Sequence, residues 1–254
     1  AMLSEHAAKY TELEHTLKEA LRDSLARGST ALLSVFLNVL LAWPDCCFRE
    51  EVVTHPTDKR LLHYVGSVLD EATASPKEEK LIELCLQARS NKQKTLDYTT
   101  YTQNRDTTLR LKFLLEQRGL KVGVLRSTVA TDKREDWILE QVERGIEVLI
   151  CNPELVKTGL DLLDFPNIVF MQTGFNCYTL MQAACRSWRI GQQHPVKVYF
   201  LAYQGTAQVN CLKLMGQKIA VCQSTSGTMP ETGLDILNQE SDSIEVALAK
   251  QLVG

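Results

Sequence analysis

A chain of 254 residues with 44% hydrophobic and 23% charged side chains can bury a core of ordinary size, which excludes an intrinsically disordered segment. Its net charge of −3 excludes a polybasic tail, so any contact with nucleic acid must come from a local patch or be shared with another domain. The eight cysteines form no Cys-x-x-Cys pair and have no histidines at zinc spacing, so they read as reduced thiols of a cytoplasmic protein.

Residues 3–27 predict an amphipathic helix, with Leu13, Leu17, Ala20, Leu21 and Leu25 at helical spacing and Gly28 as the stop. Ala1-Met2 ahead of it reads as a cloning remnant before an internal start, which would make the chain a fragment. A second helix is expected over 30–42, ahead of Pro44. The apolar run 31–43 is too short for a bilayer and is interrupted by Asn38, so no membrane association is expected. Residues 44–58 hold Pro44 and Pro56 among polar residues and read as a connecting loop. Helices are expected over 58–72 and 76–88, the latter with Ser75 as cap, Pro76 at the first helical position and Glu78 closing a capping box. Residues 1–92 thus read as a helical lead-in region.

From Gln93 the period changes. Strands are expected over 95–99, 121–125, 147–151, 168–171 and 196–202. Helices are expected over 105–118 (ended by Gly119), 132–144 (ended by Gly145), 178–188 and about 206–221. Alternating strands and helices of this length predict an α/β fold, a parallel sheet over 93–222 covered on both faces, with the helices of 1–92 packed against one edge or face. Residues 223–254 read as a C-terminal extension rich in Ser, Thr, Gly and Pro, with a last helix over 244–252.

The most informative stretch is Gln182-Ala183-Ala184-Cys185-Arg186-Ser187-Trp188-Arg189-Ile190-Gly191-Gln192. Arg186 and Arg189, three residues apart, fall on one side of a helix, with Gln182 a turn earlier on the same face. Paired guanidinium forks suit an oxygen-rich anion such as a phosphate chain, although an arbitrary Arg-x-x-Arg is more often a solvated helix end. Other polar clusters close the preceding strands: Tyr98-Thr99-Thr100-Tyr101-Thr102, then Arg126-Ser127-Thr128, then Asn152 with Lys157-Thr158-Gly159-Leu160-Asp161. Ligands of open α/β sheets bind at such strand ends, while each cluster taken singly also serves as a cap or turn.

The spacing Gln-x-x-x-Arg-x-x-Arg-Ile-Gly-Gln resembles motif VI of superfamily 2 helicases, and the Ile-Gly-Gln ending is typical of their Swi/Snf-type branch. In the same order, Thr100 and its neighbours resemble motif IV, and Asn152 with Thr158-Gly159-Leu160-Asp161 resembles motif V. Arg134 matches the family's arginine ahead of an apolar position, here Ile138. The resemblance runs over about 75–222 and implies the C-terminal RecA-like lobe of a Swi/Snf-type, DNA-dependent ATPase of the bacterial branch. By that resemblance Arg186, Arg189 and Gln182 act in catalysis, with Gly159, Asp161 and the two arginines at the nucleotide. Thr100, Arg126, Ser127, Thr128, Arg134, Asn152, Lys157 and Thr158 would meet nucleic acid, double-stranded DNA in that branch.

Two departures stand out: Lys157 in place of a motif V glycine, and Gln172 where an acidic residue often ends the next strand. No Gly-x-x-x-x-Gly-Lys-Ser/Thr occurs, so ATP with Mg2+ is expected to be held mainly by an N-terminal RecA-like lobe of the same polypeptide outside this chain. Asp70-Glu71-Ala72-Thr73 looks like a Walker B sequence but lacks the apolar strand before it. The rival readings are an ATP-independent RecA-like interaction or nucleic-acid-binding module, and a Rossmann-type transferase, for which no Gly-x-Gly-x-x-Gly follows a strand.

Overall fold

Tyr10, Leu13, Leu17 and Leu21 lie on one buried stripe of α1 (Ser4–Ala26), the face that the apolar spacing predicts. The computed structural model describes residues 1–156, 160–187, 189–226 and 244–253. After α1 the chain turns through Gly28, whose φ of +75° suits a residue without a side chain. α2 (Leu32–Ala42) follows, with Phe36, Leu37, Val39, Leu40 and Leu41 buried.

Residues 44–72 differ from the expected loop and helix. A 3-10 turn (Trp43–Asp45) leads into an antiparallel hairpin of β1 (Glu51–Thr54) and β2 (Leu61–Val65). Leu61, Leu62, Val65 and Leu69 are spaced for a helix, but period two prevails: Val53 and Val65 are buried while the facing pair Val52 and Tyr64 is exposed. Lys59, at φ +60°, closes the turn, its N–H donating to the His55 carbonyl at 3.0 Å while the His55 N–H donates to the Arg60 carbonyl at 2.8 Å. Asp70-Glu71-Ala72-Thr73 lies in irregular chain, separated from the end of β2 at Val65, so no strand runs into it to present a magnesium ligand.

α3 (Pro76–Ser90) starts with the expected capping box: the Glu78 N–H donates to Ser75 Oγ at 3.3 Å and the Ser75 N–H to Glu78 Oε2 at 2.7 Å. The sheet comprises β3 (Thr95–Tyr98), β4 (Val122–Leu125), β5 (Val148–Cys151), β6 (Asn167–Phe170) and β7 (Lys197–Phe200), in spatial order β4-β5-β3-β6-β7, with every pairing parallel. On one face Leu81, Ile82, Leu84 and Cys85 of α3 and Leu111, Leu114 and Leu115 of α4 (Thr108–Gln117) pack with Val122, Val148, Ile150, Val169 and Met171. The other face carries the ring stack Tyr98–Phe170–Phe200, each step 4.9 Å between centroids. α5 (Arg134–Glu143) and α6 (Cys177–Ala184) cover that face. Gly123 looks toward α5, where a Cβ would meet Ile146 and Gln141, and Tyr98 Oη donates to the Ala183 carbonyl of α6 at 3.2 Å. This is the expected three-layer α/β fold, with Gly119 and Gly145 at positive φ just past α4 and α5.

Contact clustering divides the chain into two units. The sheet unit is Glu71–Thr173 with Tyr178–Ala202, so α3 belongs with the sheet. The other unit joins Ala1–Asp70 to Gly174–Cys177 and Tyr203–Gly254. In it α7 (Ala207–Ser226) donates from the Ala207 N–H to Tyr10 Oη at 2.9 Å, and Gln208 Nε2 donates to the Leu41 carbonyl and to Asp45 Oδ2, each at 2.9 Å. Trp43, Met215 and Leu248 of the helix Ile244–Val253 are buried in the same unit. α7 runs into the expected extension, of which residues 227–243 lie outside those described.

Candidate functional site

From β3 the chain moves to β4 on one side of the sheet, returns to β5 next to β3, and then takes up β6 on the far side of β3. That reversal falls at the C-terminal ends of β5, β3 and β6, the edge at which ligands of open parallel sheets bind. Thr100 sits there and is held by both neighbouring strand ends. Its N–H and that of Tyr101 donate to Gln172 Oε1, at 3.0 and 3.1 Å, and its Oγ1 donates to the Gln172 carbonyl at 3.0 Å. From the other side Asn152 Nδ2 donates to the Thr100 carbonyl at 2.9 Å. Asn152 also caps the short 3-10 turn Pro153–Leu155, its Oδ1 accepting from the Glu154 N–H at 2.9 Å. The buried Gln172 therefore organises the loop after β3, a role that an acceptor oxygen suffices for whether or not it carries charge.

The Arg126-Ser127-Thr128 cluster is an exposed turn after β4, with Arg126 Nη1 3.9 Å from Asp106 Oδ2. Arg134 is differently placed. Its Nη1 donates to the Leu155 carbonyl at 2.9 Å and its Nε to the Val129 carbonyl at 3.3 Å, so it braces the loops after β4 and β5 against each other. Lys157, Thr158 and Gly159 lie outside the described residues.

The arginines do not ride on the helix that their spacing suggests. α6 ends at Ala184, and Arg186 and Arg189 occupy the turn beyond it, with Gln182 half-buried in the last turn of α6. Gln192 fixes that turn, its Nε2 donating to the Leu163 and Ser187 carbonyls at 3.0 Å each, while Gly191, at φ +101°, lets the chain double back. The Leu162 N–H donates to the Arg186 carbonyl at 3.1 Å, which brings Asp161 alongside. Arg189 Nε lies 3.1 Å from Asp161 Oδ1, both side chains about half exposed. Arg186 is buried. Burial first, then the neighbouring Arg189 charge, pulls its guanidinium below the ordinary arginine value, partly offset by Tyr98, Asp161 and Cys185. It stays charged at any physiological pH. The Asp161 carboxylate thus stands beside both guanidinium groups, ion-paired with Arg189 and electrostatically felt by Arg186.

No sequence pattern marks Thr179. This buried α6 residue donates from Oγ1 to Glu154 Oε1 at 2.6 Å. The Asn-Pro-Glu sequence, an Asx cap followed by proline, was the available sign that residues 152–154 form an ordered turn. Among the described residues no cluster of three or more His, Cys, Asp or Glu side chains could hold a metal ion, and no helix is long and apolar enough to cross a membrane.

A parallel three-layer sheet with polar loops at its strand ends and paired arginines after the helix preceding its last strand defines a RecA-like helicase lobe. Comparison with known proteins agrees. Residues 76–191 match the family described as helicase conserved C-terminal domain. The chain is 24% identical over 226 residues to the uncharacterized ATP-dependent helicase YqhH of Bacillus subtilis, covering 84% of this chain and 40% of that protein. It is 25% identical over 203 residues to the Caenorhabditis elegans homologue of the SWI/SNF-related, matrix-associated, actin-dependent regulator of chromatin subfamily A containing DEAD/H box 1, covering 77% of this chain and 20% of that one. The crystal structure of the C-terminal part of the Fun30 ATPase domain shares the fold, with TM-score 0.55 and 18% identity over 74% of this chain and 56% of that one. Residues 76–191 thus match a helicase C-terminal domain, the chain is similar to Swi/Snf-like ATP-dependent helicases, and it spans less than half the length of these curated relatives.

Proposed function

We propose that this chain is the second lobe of an ATP-driven translocase on double-stranded DNA, acting in the cytoplasm with an N-terminal RecA-like lobe of the same polypeptide. That first lobe would hold most of the ATP and its Mg2+. The observation that carries the reading is the grouping of Arg186 and Arg189, in the turn after α6, with Asp161 from the segment before β6. The half-exposed Arg189 can exchange the Asp161 carboxylate for the more highly charged phosphate chain when the lobes close. Arg186, buried and repelled by Arg189, gains from any negative charge brought between them. Charge stabilisation supplied from a second lobe is how phosphoryl transfer is commonly gated. Gln182, a turn earlier, would orient the attacking water or an arginine.

Thr100, Asn152 and Arg126, at the neighbouring strand ends, would meet the sugar-phosphate backbone, together with Ser127, Thr128, Lys157 and Thr158. Asp161 would contact the ribose, and Gly159 would allow close approach of the backbone to the nucleotide. The test is steady-state ATP hydrolysis by the two-lobed protein with and without duplex DNA. Stimulation by the duplex, abolished by Arg189→Ala, is expected. Hydrolysis indifferent to both would leave the ATP-independent binding module as the better reading.

A further inference from the structure

A continuous hydrogen-bonded path joins the loop after β3 to the helix that leads to the arginines. It runs from Gln172 to Thr100 and Tyr101, from Thr100 to Asn152, and from Asn152 to the backbone of Glu154. It then passes through the Glu154 carboxylate to Thr179 on α6, one turn before Gln182. Each step is a direct bond of 3.1 Å or less. The last is the shortest, at 2.6 Å, as expected when a hydroxyl donates to a carboxylate. Neither Glu154 nor Thr179 touches the nucleotide or the nucleic acid in the arrangement described above. Their bond ties the 3-10 turn after β5 to α6, and with it the strand-end loops to the arginine turn.

We propose that Glu154 and Thr179 are positioning residues that transmit contact at Thr100 and Asn152 to α6, and so make the placement of Arg186 and Arg189 depend on bound duplex. The role in coupling rests on the reading of this chain as a translocase lobe; the path itself does not. Coupling needs a measured response at a distance rather than a drawn pathway. Thr179→Val keeps the shape of the side chain and removes the donor, while Thr179→Ser keeps the donor.

The first measurement is amide hydrogen exchange on the 254-residue chain without ligand. Thr179→Val is expected to speed exchange of the Thr100 and Tyr101 amides about fivefold, the loss of roughly one net hydrogen bond, while Val124 of β4 is unchanged and Thr179→Ser matches wild type. Unaltered rates at Thr100 and Tyr101 would overturn the proposal, because the path would then end at α6. The second measurement is duplex stimulation of ATP hydrolysis by the two-lobed protein. Thr179→Val is expected to keep the basal rate and lose most of the stimulation, with Thr179→Ser restoring it. Full stimulation in Thr179→Val would overturn the coupling. A wild-type protein that duplex does not stimulate would sink the translocase reading instead, and the exchange result would still decide whether the path exists.

Discussion

Arg110 grips Glu78 with both arms of its guanidinium: Nε lies 2.7 Å from Oε1 and Nη2 3.1 Å from Oε2, and both side chains are buried. The same guanidinium donates to the carbonyls of Glu71, at 3.0 Å, and Thr73, at 2.7 Å, while Glu78 also closes the capping box of α3. One ion pair therefore anchors the segment before α3, the start of α3, and α4. Arg110→Met should cost roughly 3–5 kcal/mol, because it leaves a buried carboxylate unmatched. Adding Glu78→Leu should not deepen the loss, since the stranded charge is then gone. Urea unfolding followed by far-ultraviolet dichroism would measure both variants; a single variant within about 1 kcal/mol of wild type would contradict the anchoring role.

The two arginines of the α6 turn should separate by experiment. In the two-lobed protein Arg189→Ala is expected to lower ATP turnover by about three orders of magnitude or more, the range of arginine-finger losses. Arg189→Lys should not rescue, since a point charge cannot reproduce the fork. Its melting temperature should stay close to wild type, because the half-exposed pair with Asp161 contributes about 1 kcal/mol at most. Arg186→Ala should also slow turnover, but the buried side chain leaves a gap, so a lowered melting temperature should accompany the loss. Melts and rates on the same preparations distinguish the two patterns; near-normal turnover in a well-folded Arg189→Ala protein would refute the assignment.

Nucleic-acid binding by the 254-residue chain should be weak, sequence-tolerant and strongly salt-dependent, as befits an acidic protein meeting phosphates through a local patch. Arg126→Ala should reduce the slope of log K against log salt by about one, the signature of one lost phosphate contact. Arg134→Ala should instead loosen the loops after β4 and β5, because its guanidinium already serves the Val129 and Leu155 carbonyls. Salt titrations by fluorescence anisotropy with a labelled duplex would read both effects, and salt-independent binding would point to a different partner for this face.

ATP with Mg2+ should bind the 254-residue chain only weakly, and hydrolysis by it should not exceed background. Most nucleotide affinity in such ATPases comes from a phosphate-binding loop, and no such sequence occurs here. Micromolar affinity by calorimetry would place the nucleotide site on this chain after all.

The period change at Gln93 made the parallel sheet legible, because central parallel strands are apolar runs and helices between them end at glycine. Strand ends, and hence the positions of Thr100, Asn152 and Arg126, could be read the same way. Three things were hidden. The hairpin of β1 and β2 has leucines and valines at both helical and strand spacing, and only its packing chooses between them. The end of α6 at Ala184 carries no glycine or proline, so Arg186 and Arg189 looked helical. Contacts such as Gln172 with Thr100, or Arg134 with Leu155, are between residues far apart in sequence and leave no local pattern.

Gln208 reaches back to the Leu41 carbonyl across 167 positions of sequence. During synthesis α1 and α2 leave the ribosome long before α7 exists to complete their core, while the whole sheet unit is made in between. At about 5–20 residues per second the wait is roughly 8–33 s, ample time for the sheet to fold first. The apolar stripe of α1 and the almost wholly apolar α2 must spend that interval without their final neighbours. Nascent chains halted before residue 203 are therefore the form most in need of a chaperone, and release past α7 is the step at which that need should end.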